Sequence, residues 1–328
     1  MSDSESQSGF AVYGPQEVRA LLDDDGCIAA VRAAMASFSA HGRPQPLRSI
    51  VEIAPTKLFG LMPGSLEDAD GFGAKLISVF PDPRRPGRSF HRGIVALFDS
   101  DSGDLECIAD AGEVTRIRTA AASAVATEAL ARSDARRLAI YGCGTQAASH
   151  VRAIARVRPL EEILVWGRSM ERATEFAARM AEEVHVPVRA VVNGREAATA
   201  DILCTVTGSA TPVLLGESVR PGTHINVVGS SHPGPVEIDN ALVVSSRYVV
   251  DSRRSALASA AEFLLAKEAG LIGDEHIVAE IGEVLLGRMP GRTSADEITV
   301  YKSLGHIVQD LAAVRYLHAR AVAEKVHR

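Results

Sequence analysis

In the stretch LAIYGCGTQAASH, residues 138–150, an apolar run breaks into glycines and then resumes with helix-forming residues. Gly142, Gly144 and Ala147 fit the spacing G-x-G-x-x-G/A between a strand and a helix. The first glycine permits a tight turn, the second lets the backbone approach a pyrophosphate, and the third small residue lets the helix pack closely on the strand. The helix N-terminus then presents free N–H groups and a positive dipole end to the phosphates. Glycines also close many purely structural turns. Here the strand–turn–helix context, followed by a second strand, points to dinucleotide binding, with Thr145 and Gln146 as further contacts within the turn. At the end of that second strand a carboxylate takes the ribose hydroxyls of NAD, whereas an arginine takes the extra phosphate of NADP. The segment ILVWGRSMERA carries Arg168 and Ser169 there and no acid. Unless Arg168 is simply a solvated helix-start residue, the cofactor is NADP(H), with NAD(H) as the alternative.

Lys75 lies inside the apolar run GAKLISVF, where a lysine must find a partner. The basic run at residues 84–92, in PDPRRPGRSFHR, is rich in proline and glycine and reads as a solvated loop or as the rim of a site for an anionic ligand. Ten histidines show no H-E-x-x-H and no Cys/His ligand spacing, and His224 and His232 are separated by a turn, so no metal site is expected. Cys27, Cys107, Cys143 and Cys204 lie far apart without a C-x-x-C pair, which fits unpaired thiols in a reducing compartment. The net charge of −6 argues against a nucleic-acid partner. No apolar stretch approaches the length of a bilayer span, and the polar, acidic start reads as a cytoplasmic tail.

These residues need a scaffold. At 328 residues the chain suggests two domains, or one with an insertion. Residues 15–41 have a helical pattern, with Pro15 in the first turn and Val18, Leu21 and Leu22 on one face. Between Leu47 and Asp110 the runs LRSIVEI, KLFGLMPG, GFGAKLISVF, GIVALFD and LECIAD are strand-length and separated by Pro, Gly and Asp, which predicts a mostly antiparallel sheet. An alanine-rich helix follows over 113–131. Strands at 138–142, 162–166, 188–192, 201–206, 223–228 and 247–250, with helices at 145–157 and 170–181, imply a parallel sheet with right-handed crossovers. A final helix over about 300–325 is free to pack on the N-terminal sheet. The fold class is α/β: a Rossmann-type doubly wound parallel sheet plus an α+β part.

The segments VTRIRTAAASAVATEALA, GCGTQA, GTHINVVGSSHPGPVEID and TVYKSLGHIVQDLAA, in that order, resemble the ornithine cyclodeaminase/mu-crystallin superfamily. The resemblance implies a homodimer in which a discontinuous substrate-binding and dimerisation domain, residues 1–119 and 300–328, accompanies a Rossmann domain over 120–299. It places Arg48 and Lys75 where the family clamps a substrate carboxylate, and Arg118 where it reaches into the cleft beside the cofactor. An arginine offers a planar bidentate fork to a carboxylate, and a lysine a compact charge that can also donate a proton. Thr119 and Ser303 to Gly305 fall at cofactor contacts, Ser303 nearest the nicotinamide. Thr205, Val228 and Ser230 complete the expected cofactor set. His91 aligns with a cleft position or is a loop histidine.

The chain departs from the cyclodeaminases in VVGSSHPGP, where Ser231 replaces their acid/base aspartate and Pro235 a lysine. Serine cannot take over that role near neutral pH without an activating base. Ketimine reductases of the mu-crystallin type also have serine there. Ser231 and His232 either relay a proton or are a helix cap and a turn residue. The expected function is an NAD(P)-dependent oxidoreductase at the C–N bond of a small amino or imino acid, of ketimine reductase or amino-acid dehydrogenase type, with Lys75 protonating the nitrogen. The alternatives are an NAD-dependent ornithine cyclodeaminase and a non-catalytic small-ligand carrier.

Overall fold

The computed structural model describes residues 9–67, 70–80, 91–232 and 234–326. Strands β1 (Ala11–Tyr13), β2 (Ser49–Ala54), β3 (Lys57–Ser65), β4 (Phe72–Val79), β5 (His91–Phe98) and β6 (Leu105–Asp110) form one sheet in the order β1-β6-β5-β4-β3-β2. Its pairs are antiparallel apart from β1 with β6. Strands β7 (Arg137–Tyr141), β8 (Glu162–Trp166), β9 (Val188–Ala190), β10 (Ile202–Thr205), β11 (His224–Val227), β12 (Arg247–Val250), β13 (Ile277–Glu280) and β14 (Thr299–Lys302) form an eight-stranded sheet in the order β13-β12-β14-β11-β10-β7-β8-β9. All of its pairs are parallel. The strand order reverses between β7 and β10, which opens the crevice that doubly wound sheets use for ligands.

The helix-like run at 15–41 is two helices, α1 (Pro15–Leu21) and α2 (Asp24–His41). Leu22 leaves helical geometry, and the Asp23 carboxylate accepts from the Gly26 N–H and so starts a new helix. Helix α3 (Ala111–Leu130) is capped by Asp110 and buries nearly all of its middle, where small alanines let neighbours approach on every side. It packs against α2, α4 (Thr145–Val157), β5, β11 and the C-terminal helix Ile307–Val326, and thereby ties the two sheets together. One apolar cluster runs continuously from Tyr13 through α2 and α3 to one face of the eight-stranded sheet. A second, with Tyr141, Tyr248 and Phe263, covers the opposite face.

The chain end corrects the expected helix over 300–325. Thr299–Lys302 is a fully buried strand inserted between β11 and β12, and the helix begins only at Ile307. Four residues, TVYK, are too few to reveal a period, so pairing on both sides decided their state. As expected, the C-terminal helix packs on the N-terminal sheet, against β3, β4 and β5. The basic run over 84–90 and the N-terminal tail over 1–8 lie outside the described residues. Among the described residues no helix is long and apolar enough to cross a membrane.

Candidate active site

The turn after β7 lies at the reversal of strand order. Gly142 has φ +122°, and a Cβ there would lie 3.0 Å from the Val206 carbonyl oxygen, so the position calls for glycine on two counts. Gly144 differs. It is the exposed N-cap of α4, and a Cβ on it would meet nothing within 4 Å. The backbone is therefore bare toward open space, beside the unpaired N–H groups of the first helical turn. Ala147 is fully buried, Thr145 is exposed, and the Gln146 amide reaches the Thr115 carbonyl at 3.4 Å while its Oε1 has no partner. The Thr119 hydroxyl, on α3, is buried without a hydrogen-bond partner. A bare glycine backbone at a helix N-terminus and a buried unpaired hydroxyl fit a bound dinucleotide. At the end of β8, Arg168 is exposed and makes no hydrogen bond or ion pair among the described residues. Ser169 caps helix α5 (Met170–Val184), its Oγ accepting from the Arg172 N–H at 3.3 Å.

A cluster of cations gathers around the Ser303–Gly305 loop, with Lys75 and Arg118 buried and Arg48 partly so. Lys75, on β4 opposite Met62 and Val95, is 2% exposed. Its Nζ donates to Oδ1 of Asp310 at 2.9 Å, and Nε of Arg118 donates to the same oxygen at 3.0 Å. Arg118 Nη1 also donates to Gln309 Oε1 at 3.0 Å. Its guanidinium lies against Gly305, whose φ is +80° and whose added Cβ would come within 2.9 Å of Nη2. Arg48 Nη2 donates to the Leu304 carbonyl at 2.5 Å. The loop carrying Ser303, Leu304 and Gly305 is held by Asp251, whose Oδ2 accepts from the Leu304 and Gly305 N–H groups at 2.8 and 2.7 Å. A cavity of about 160 Å³ opens beside Arg48 between Leu47, Leu304 and the helix Arg253–Ser259.

The charges in this cluster alter one another. Burial pushes Lys75 down to about 8; Asp310 opposes that fall, while Arg118 and Arg48 add to it. Burial pushes Asp310 up, but Arg118 and Lys75 outweigh it and hold the carboxyl below its ordinary value. Burial also lowers Arg48, against the pull of Asp251. His306, its ring tilted against Phe38 at 4.4 Å between ring centres, is lowered by burial to about 4 and stays neutral.

The loops after β10 and β11 rest on a second buried network. Lys302 Nζ pairs with Glu262 at 2.8 Å and donates to both the carbonyl and the hydroxyl of Ser230, each at 2.6 Å. Ser230 Oγ in turn donates to Glu262. Glu237 accepts from the Thr205 hydroxyl, from the N–H and hydroxyl of Thr207, and from the Gly229 N–H. The hydroxyls of Thr205 and Ser230, expected at the cofactor, are thus committed to structural carboxylates, and Val228 beside them is buried. Ser231 is partly exposed and makes no hydrogen bond to a described residue, so it does not cap a helix. Partial desolvation lowers His232, and the charges of Arg48 and Lys302 lower it further, which brings this loop near the cation cluster. His91 begins β5, and its side chain lies outside the described residues.

The structure therefore brings together Arg48, Lys75, Arg118 and the SLG loop, and sets the glycine turn and Arg168 along the switch-point crevice. Sequence reasoning missed Asp310, Gln309, Asp251, Glu237, Glu262 and Lys302. The signal that singled out Lys75, an ionisable group inside an apolar run, was also present in HIVQDLAA and AAEFLLA.

A parallel sheet with a glycine turn at its switch point, in a chain that also gathers cations able to hold a carboxylate, belongs to the nicotinamide-dependent α/β oxidoreductases. The chain is a member of the ornithine cyclodeaminase/mu-crystallin family, whose model matches residues 11–325. It is 34% identical over 318 residues to a Delta(1)-pyrroline-2-carboxylate reductase of Bacillus cereus, covering 96% of this chain and 98% of that one. It is 36% identical over 296 residues to the ketimine reductase mu-crystallin of Mus musculus, covering 88% and 90%. Among solved structures it is similar to the Thermococcus litoralis Delta(1)-pyrroline-2-carboxylate reductase in complex with NADH and L-proline, with a TM-score of 0.92, 30% identity, and 96% and 98% of the two chains covered.

Proposed function

We propose that this protein is an NAD(P)-dependent oxidoreductase that reduces the C=N bond of a small cyclic imino acid, or oxidises the matching amino acid. The observation that carries this reading is the convergence of Lys75 and Arg118 on a single buried oxygen, with Arg48 beside them. Two buried cations, Lys75 and Arg118, and the half-buried Arg48 stand with two carboxylates, Asp310 and Asp251, so the pocket holds a surplus positive charge suited to a substrate carboxylate. Arg48 and Arg118 grip that carboxylate through fork-like guanidinium groups. Lys75, with a pKa of about 8, is charged at neutral pH yet able to release its proton to the substrate nitrogen. When bound, the nicotinamide dinucleotide supplies or accepts the hydride. The turn Gly142–Ala147 would receive its pyrophosphate, and Thr119 and Ser303 would lie toward the nicotinamide. Arg168, exposed at the end of β8 where no acid stands, favours NADP(H) over NAD(H).

Ser231 supports reduction over ammonia elimination, because it offers no carboxylate for the extra proton transfers that elimination requires. The dinucleotide unit is assigned to residues 120–299 with the inserted strand β14, and the substrate and dimerisation unit to the remainder. We further assign the edge strand β2 to a homodimer interface. Ile50, Val51 and Ile53 are about half exposed on it, and an uncovered apolar edge strand invites pairing with a second copy.

The test follows nicotinamide absorbance with cyclic imine carboxylates and amino acids as candidate substrates. A net change carries the oxidoreductase reading. Ammonia release without net change replaces it with the lyase, and tight ligand binding without either replaces it with a carrier.

A further inference from the structure

Asp310 occupies a place that the reaction, as read above, leaves unassigned. It is fully buried in the first turn of the C-terminal helix, and a single oxygen of it binds Lys75 from β4 and Arg118 from α3. Its other oxygen, Oδ2, is buried without a hydrogen-bond partner. The charged groups that bear on Lys75 are Asp310, Arg118 and Arg48. His306, immediately before that helix, is neutral. From the other packed elements come Met62 on β3, Val95 on β5, and Cys27, Met35 and Phe38 on α2, all without charge, since burial pushes the Cys27 thiol far up. Asp310 is therefore the one carboxylate acting directly on Lys75 among the described residues.

We propose that Asp310 is a positioning residue that holds the Lys75 ammonium charged and aimed until the substrate nitrogen takes its proton. The proposal rests on the imine-reductase reading. A lysine enclosed by apolar strands and two arginines would otherwise shed its proton to relieve both desolvation and repulsion. As the imine carbon receives a hydride, the C=N π pair becomes the bonding pair of a new N–H bond, whose proton leaves Lys75 Nζ. The electron pair of the broken bond remains on Nζ as the lone pair of a neutral amine. Asp310 is not then left as an uncompensated buried anion, because Arg118 still donates to the same oxygen. That shared oxygen is what allows Lys75 to lose its charge cheaply and to recover it from solvent.

The experiment compares the pH profile of imine reduction in wild type, Asp310→Asn, Asp310→Glu and Gln309→Leu. Wild-type turnover falls as pH rises through the Lys75 pKa. Asp310→Asn keeps the shape and removes the charge, so that alkaline limb moves toward acid by roughly one to three pH units, the effect of an opposite charge at this range. Asp310→Glu restores it, and Gln309→Leu, which removes the bonds of Gln309 to Arg118 and Met35 but keeps the Asp310 charge, leaves it in place. An independent readout is the titration of the Lys75 Cε resonance in ¹³C-lysine-labelled protein without turnover, assigned by its loss in Lys75→Met. It moves with the same shift. Should Asp310→Asn not fold, wild type labelled also at aspartate Cγ serves: the Asp310 resonance must follow the Lys75 titration. The proposal is overturned if the limb or the Lys75 resonance is unmoved in Asp310→Asn, if Gln309→Leu moves it as far, or if Asp310 Cγ ignores the Lys75 titration. A wild type that reduces no imine overturns the functional reading instead, and the two resonances still decide the role of Asp310.

Discussion

Two glycines two residues apart do different work, and substituting each in turn separates fold from binding. Gly144 has φ −93° and ψ −169°, ordinary extended backbone, and a Cβ there meets nothing within 4 Å. Gly144→Val should therefore cost at most about 1 kcal/mol, the difference between a tolerated and a poor N-cap. Its branched side chain would instead fill the space through which a pyrophosphate reaches the N–H groups of α4. Losing two charge-assisted hydrogen bonds at about 1.5–3 kcal/mol each weakens dinucleotide binding roughly a hundredfold or more. Gly142→Ala should do the reverse. At φ +122°, with the Val206 carbonyl 3.0 Å from the new methyl, it carries about 1–3 kcal/mol of strain before any ligand is added. The assay is thermal unfolding of the ligand-free proteins beside a fluorescence titration with NADH and NADPH. If Gly144→Val binds both dinucleotides as wild type does, the turn is only structural and the cofactor reading of this segment fails.

The remaining expectations concern the cofactor, the substrate and pH. Arg168→Ala should weaken NADP(H) by about 2 kcal/mol, near thirtyfold, and leave NAD(H) almost unchanged; equal losses in paired titrations refute the assignment. Lys75→Met should lower kcat by roughly a hundredfold to ten-thousandfold, the worth of a general acid, whereas Arg48→Ala should act mainly through KM. Steady-state kinetics in which the two variants show the same split would remove the distinction between proton donor and clamp. Burial lowers His150 to about 4, so the unfolded chain binds its proton more readily, and the stability it contributes is present above pH 6.5 and lost as pH falls toward 4. This group alone removes about 2 kcal/mol between pH 7 and pH 5, and His224 and His306 act in the same direction. His150→Gln should flatten that loss in urea unfolding at the two pH values, and an unchanged slope would show that other groups dominate.

Much of the fold could be read from local pattern because its signals are local. The helix at 145–157, the start of the one at 170 and the strands at 162–166 and 247–250 follow from capping residues, periodicity and the glycine turn, each legible within a few residues; the second helix runs to Val184, three residues beyond its expected end. Strand β14 was not legible. VYK is as compatible with a helix start as with a strand, and only its two neighbours, β11 and β12, one of them some fifty residues away in sequence, make it a strand.

The active site divides along the same line. Lys75 stands out as a lysine inside an apolar run, and Arg48 and Arg118 through the segments that resemble the family, so sequence alone determined the cations, a strand–glycine turn–helix pattern, and a serine at residue 231. What each cation faces depends on contacts between elements 192 and 235 residues apart, where Asp310 meets Arg118 and Lys75. The same holds for Thr205 and Ser230, whose hydroxyls donate to Glu237 and Glu262, 32 residues on in each case. Residue type sets what a group can do, since charge and hydrogen-bonding capacity travel with the side chain. Its partner and its pKa are set by burial and by the nearest opposite charge, and those exist only once the chain has folded.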